Sequence, residues 1–150
     1  MKEGDALSDL ERLVALEDIQ TLRARLARAL DNQQWDKART LMTRDARTLF
    51  WDDSGSGLTP WGKPVELESP DALIDFTSRI FMQGRIVHMA AMPEIEFESA
   101  DRARGVWCVA AYSDFGTGTG LGYDETIEDY VRIDGQWLVQ NITVRVQALL

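Results

Sequence analysis

Apolar residues in the first part of the chain recur at steps of three and four. Leu10, Leu13, Val14, Ile19, Leu22, Leu26 and Ala29 fall on one face of an amphipathic helix. Ser8, followed three residues later by Glu11, supplies that helix with a capping box, and Asp31 stands at its end. The stretch "QQWDKARTLM" reads as a second, short helix with Trp35, Ala38, Leu41 and Met42 inward, after which "ARTLFW" turns strand-like. Residues 52 to 64, "DDSGSGLTPWGKP", form a loop rich in Gly, Ser and Pro, with Trp51 and Trp61 on either side of its glycines. A third helix begins at Ser69 as N-cap, with Pro70 at the first helical position and Asp71 in the first turn; Leu73, Phe76 and Ile80 are its inward stripe.

Beyond residue 85 the period changes to alternation. "RIVHMAAMPEIEFES", "ARGVWCVAAYSDF", "YDETIEDYVRI" and "QWLVQNITVRV" are four long strands, and Asp134-Gly135 between the last two is a two-residue hairpin turn. Helices first and a strand meander afterwards give an α+β order without βαβ alternation. A sheet of this kind, curled around the helices, has a concave face able to enclose an apolar pocket, with Trp51, Trp61, Tyr112 and Tyr123 as bulky candidates for its lining.

A chain of 150 residues that is 45% hydrophobic is long enough for one core, so residues 1–150 are read as one domain. Sixteen Lys and Arg against 25 Asp and Glu leave a net charge of -9, which disfavours nucleic acid and anionic membrane partners. The charged N-terminus has no signal-peptide pattern and no stretch could span a bilayer, so a cytoplasmic location is expected. With one cysteine, Cys108, and one histidine, His88, there is neither an internal disulfide nor a His/Cys zinc set, and chemistry without metal or cofactor is the expectation. Cys108 reads as a buried small residue of an apolar strand with no adjacent base to activate it, the glycines from Gly116 to Gly122 as a loop between strands, and Glu125, Glu128 and Asp129 as a solvated strand face.

Two residues leave their roles open. A carboxylate at a helix C-terminus faces the negative end of the macrodipole, at about 0.3–1 kcal/mol, so Asp31 is either turn punctuation before Asn32 or has a partner. Counting alternation back from Glu94–Glu98 puts His88 on the Glu face. Pro93, however, cannot donate to a ladder, and a single bulge there would turn His88 to the apolar face.

"LARALDNQQWDKARTLMTRDARTLF" resembles the opening of SnoaL-like proteins of the nuclear-transport-factor-2-like superfamily, in which a helix ends in aspartate, a short helix follows, and a "DA", here Asp45-Ala46, precedes the first strand. The likeness continues through "RIVHMAAMPEIEFESADRARGVW" and "IEDYVRIDGQWLVQ", over about residues 10 to 147. It implies a cone-shaped α+β barrel with three N-terminal helices on a curved, mainly antiparallel sheet. Enzymes of this fold such as scytalone dehydratase, bile acid 7α-dehydratase and hexachlorocyclohexane dehydrochlorinase use an Asp-His dyad in an apolar pocket. By resemblance Asp31 matches the aspartate and His88 the histidine. The sequence departs from that pattern at Leu26, where relatives often carry Tyr or Lys, and at Ile142, where the dehydrochlorinase-like enzymes carry Arg.

The resemblance therefore implies a cofactor-independent lyase, dehydratase-like, or an isomerase acting on a hydrophobic cyclic small molecule, with His88 as general base and Asp31 orienting it. A second reading is a non-catalytic small-molecule-binding or assembly module. In that reading Trp137, Val139, Asn141, Thr143 and Arg145 alternate along one sheet face as a subunit contact. Relatives of this type imply a homodimer or homotrimer under either reading.

Overall fold

A computed structural model describes residues 7–52 and 64–150. Trp61 and the glycines of the 52–64 loop lie outside the described residues. Helix α1 spans Asp9–Asp31 and opens on the capping box, with Ser8 Oγ accepting from the Glu11 N–H and Glu11 Oε2 accepting from the Ser8 N–H at 2.9 Å. Its buried stripe is Ala15, Ile19, Leu22, Leu26 and Ala29. Leu10, Leu13 and Val14 are exposed, because the stripe counted back from Ala15 passes through Arg12, whose guanidinium lies 5.2 Å from the Phe97 ring, and then through Ser8.

Helix α2, Trp35–Thr40, buries Ala38 and sets Trp35 edge-on to Phe81 at the end of α3, Pro70–Phe81. The strands are β1 (Met42–Asp52), β2 (Val65–Leu67), β3 (Arg85–Ser99), β4 (Arg102–Asp114), β5 (Thr119–Ile133) and β6 (Gln136–Leu149). They form one sheet in the order β2-β1-β6-β5-β4-β3. Its strands pair antiparallel except β1 with β6. The last four strands are joined by short turns; Asp134 and Gly135 both take positive φ, as a tight hairpin of the right twist demands. Gly120 and Gly122 belong to strand β5, so the predicted glycine loop shortens to the turn at 115–118. Three helices thus pack on a curved, mostly antiparallel sheet, with Ile19, Leu22, Leu26, Tyr130, Trp137 and Val139 in the common core.

Two bulges decide which side chains enter the concave face. In β3, Ala91 pairs with Cys108 and Glu94 with Val106, so Met92 and Pro93 together oppose the single residue Trp107, and Met92 takes φ +48°. The extra residue inverts the alternation: Ile95 and Phe97 face inward on one side of it, His88 on the other. In β6, Val139 pairs with Tyr130 but Asn141 with Asp129, leaving Gln140 extra. Trp137 and Val139 are therefore core residues, and beyond the bulge Ile142 and Val146 are buried instead. The single alternating face expected from Trp137 to Arg145 does not exist. Among the described residues, no helix is long and apolar enough to cross a membrane.

Candidate active site

Helix α1 ends at Asp31, but the residue that caps it is Asn32. The Asn32 backbone N–H and its side-chain amide both donate to the Arg28 carbonyl, at 3.0 and 2.8 Å, and Gln33 follows at φ +57°. Asp31 is thereby free to turn inward. Strand β3 is the last of the sheet, so its outer N–H groups meet no further strand. That of His88 donates to Asp31 Oδ2 at 2.9 Å, and His88 Nδ1 lies 2.6 Å from Asp31 Oδ1. One carboxylate thus accepts from the backbone and the ring of the same residue. Two charge-assisted bonds of this kind, about 1.5–3 kcal/mol each, outweigh the dipole penalty at a helix C-terminus. The side chains are 10% and 30% exposed for Asp31 and His88.

A carboxylate can only accept, so when the imidazole is neutral this contact places its proton on Nδ1 and keeps Nε2 as an acceptor. His88 lines a cavity of about 110 Å³. Its apolar wall comes from Leu26, Ala27 and Leu30 of α1, Phe50 of β1, Leu73 of α3, Val109 of β4, and Ile142 and Val144 of β6. Leu26 and Ile142 are thus lining residues. Trp51, Tyr112 and Tyr123 are not: they are 45%, 43% and 39% exposed, because their strand neighbours of opposite parity, Phe50, Val109 and Asp124, are the ones that turn inward. Arg145 also faces outward and pairs with Glu125 at 3.2 Å, and Cys108, expected to be buried, is exposed because it has the opposite parity to the inward Trp107 and Val109 of β4.

A set of polar residues that sequence reasoning did not place shares this cavity. Arg23, Asp124, Thr126 and Glu128 line it with His88. Glu128, expected on a solvated face with Glu125 and Asp129, is 1% exposed. Arg23 Nε approaches its Oε1 to 2.6 Å as an ion pair, with the N–H vector off the oxygen. Tyr130 donates to Oε2 at 2.6 Å, and Trp107 Nε1 donates to the Tyr130 hydroxyl at 2.8 Å. Gly105, directly across from Glu128, makes room for this chain: a Cβ there would come within 3.0 Å of both Trp107 Nε1 and Tyr130 Cε2. Burial raises the Glu128 carboxyl above its ordinary value, Arg23 and Tyr130 opposing, and burial likewise raises the Tyr130 phenol, with Glu128 adding to it. Among the described residues no three His, Cys, Asp or Glu gather so as to hold a metal ion.

The Asp124 carboxyl makes no hydrogen bond or ion pair among the described residues. Burial raises its pKa, and the charge of His88 partly opposes the rise. A carboxyl raised in the folded state stabilises the protein below its unfolded pKa, and that contribution is lost as pH rises through the folded value. Asp124→Asn is therefore expected to be more stable than wild type at neutral pH. The difference should close as pH falls through the Asp124 titration towards the ordinary carboxylate range, as read by urea unfolding at a series of pH values. A difference independent of pH would contradict this assignment.

The sequence model of the SnoaL-like domain matches residues 11–143. A protein named probable cyclase FGR4, from Gibberella zeae, is 25% identical over 133 residues, covering 83% of this chain and 85% of that protein. The fold is similar to that of hexachlorocyclohexane dehydrochlorinase LinA-type3 of Novosphingobium barchaimii, with a TM-score of 0.77 and 22% identity over 95% of this chain and 93% of that one. It is equally similar to a protein assigned as a scytalone dehydratase in Novosphingobium aromaticivorans, with a TM-score of 0.79 and 17% identity over 95% and 91% of the two chains.

Proposed function

The chain belongs to the SnoaL-like domain family, and on that premise we propose that it is a cofactor-independent lyase, dehydratase-like, or isomerase that acts on a hydrophobic cyclic small molecule through His88 as general base and Asp31 as its orienting partner. One observation carries the reading: the 2.6 Å contact of Asp31 Oδ1 with His88 Nδ1, made at the wall of a largely apolar cavity. Nε2 takes a proton from a carbon acid next to an activating group. Asp31 holds the tautomer and stabilises the imidazolium that forms, an interaction strengthened where water is scarce. The family's small-molecule chemistry, and the cyclase, dehydratase and dehydrochlorinase named among its likenesses, support the same class of reaction. The apolar walls around Leu26 and Ile142 favour a substrate whose ring skeleton is hydrocarbon-like.

A screen of steroid, polyketide and halogenated cyclic substrates tests the proposal. Wild type turns over a member of the set, and His88→Ala lowers the rate by about 10²–10⁴-fold, the usual contribution of a positioned base. Turnover undiminished in both His88→Ala and Asp31→Asn would overturn it, and ligand binding without turnover would make the protein a binding module.

A further inference from the structure

We propose that Asp124 is the general acid of this site, protonating a leaving oxygen while His88 removes the neighbouring C–H proton. The inference rests on the proposed base role of His88 and concerns a different residue. A general base alone suffices to expel a halide, but hydroxide is a poor leaving group and needs a proton as the C–O bond breaks. Leu26 and Ile142 in the cavity wall are apolar and can supply no proton. The acid must come from elsewhere.

Asp124 stands in the right place. In the sheet, His88 pairs with Ala111 and Ala111 with Gly122, while Ala90 pairs with Val109 and Val109 with Asp124. His88 and Asp124 thus sit on β3 and β5, offset by two residues, with β4 between them contributing only Val109 and Ala111 at those positions. Two strand spacings are about 10 Å, which leaves room for one substrate ring between an imidazole and a carboxyl that both line the same cavity. The carboxyl has no partner among the described residues, so its proton is available to a ligand. The charged groups that line the cavity with it are His88 from β3, Arg23 from α1 and Glu128 on its own strand; Arg23 is engaged by Glu128, and His88 by Asp31 of α1. Burial favours its protonated form.

The step balances. His88 Nε2 accepts the proton of the C–H beside a carbonyl, the C–H electron pair becomes the new C=C bond, the C–O bond breaks, and the oxygen leaves as water with the proton of Asp124. Imidazolium and carboxylate remain, and return of the proton from His88 to Asp124 through the released water restores both groups. The substrate class is a cyclic β-hydroxy ketone.

The probes are 3-hydroxycyclohexanone with its alkyl and benzo-fused homologues, and the same ketones lacking the hydroxyl. Enone absorbance reads dehydration, and exchange of the carbon-bound hydrogen in D₂O reads the base step alone. Wild type is expected to do both, and Asp124→Asn to keep exchange while losing dehydration by about 10²–10⁴-fold. In wild type the dehydration rate should fall on the alkaline side, where Asp124 ionises, while exchange does not. Equal effects of the variant on both reactions, or wild-type exchange without dehydration of any member, overturns the role of Asp124 and leaves His88 as base. Wild type that does neither with these ketones overturns the role of Asp124 in this chemistry, and wild type that also turns over no member of the steroid, polyketide and halogenated screen overturns the proposed function itself. The pH profile needs no variant, so a poorly folding Asp124→Asn does not remove the test.

Discussion

Asp31→Asn is expected to lower kcat by about 10⁴-fold with the fold retained, a loss as large as the same replacement causes beside the histidine of a serine-protease triad. The geometry explains why an isosteric change should be so damaging. Asp31 Oδ2 already accepts the backbone N–H of His88. An asparagine must give its one carbonyl oxygen to that N–H, since its NH₂ cannot accept, and so presents the NH₂ to His88 Nδ1. The ring then has to accept at Nδ1 and carry its proton on Nε2, the nitrogen that faces the substrate. A base with its lone pair turned away cannot take a proton from carbon. Unfolding free energies of wild type and variant within about 1 kcal/mol, together with the loss of turnover, would separate this effect from misfolding; undiminished kcat would contradict it.

Glu128→Ala should be the most destabilising single change in the cavity wall, at about 3–5 kcal/mol in urea unfolding, the range for breaking one side of a buried ion pair. Glu128 is fully buried and supports two groups at once, the Arg23 guanidinium and the Tyr130 hydroxyl. Its removal leaves a charge and a hydroxyl without acceptors in the core. Most of that loss comes from the stranded partners, so Arg23→Met combined with Glu128→Leu should recover a large part of it, in spite of removing more polar contacts. A single-variant loss under about 1 kcal/mol would mean that water already screens the pair. The pair also holds α1 against β5, the two elements that carry Asp31 and Asp124, and so joins the stability of the core to the geometry of the site.

The elements were legible in the sequence wherever a local rule spoke for them. Ser8 and Glu11, Ser69 and Pro70, and Asp134-Gly135 announce a cap, a second cap and a hairpin through chemistry confined to a few residues, and each forms as announced. The parallel pairing of β1 with β6 was not legible, because the paired residues lie 94 to 97 positions apart and no periodicity encodes which edge a strand joins. Pro93 gave the one sequence sign that alternation would break near His88, and the bulge at Met92 and Pro93 is where it does.

Strand β5 misled for a physical reason. Tyr123, Ile127, Val131 and Ile133 are its apolar parity and look like the inward set, yet they lie on the outer face. Asp124, Thr126 and Glu128 turn into the cavity. A strand that lines a polar pocket reads as an amphipathic strand turned inside out. Only Tyr130, large and central in the core, continues the inward parity with a side chain that resembles a core residue. Arg23 carried a fainter signal, since it falls on the same helical face as Ala27 and Asp31 at steps of four. A cation on that face, two turns before a carboxylate, marks the α1 side of the site.

On the proposed function, Asp31 fixes the proton of His88 on Nδ1 and leaves Nε2 to act as base. Because His88 is the one histidine of the chain, ¹⁵N spectra of imidazole-labelled protein, recorded where the ring is neutral, report its tautomer without assignment. The Nδ1–H form is expected in wild type and the Nε2–H form in Asp31→Asn. The Nε2–H form in wild type, or a tautomer indifferent to the substitution, would contradict that role of Asp31.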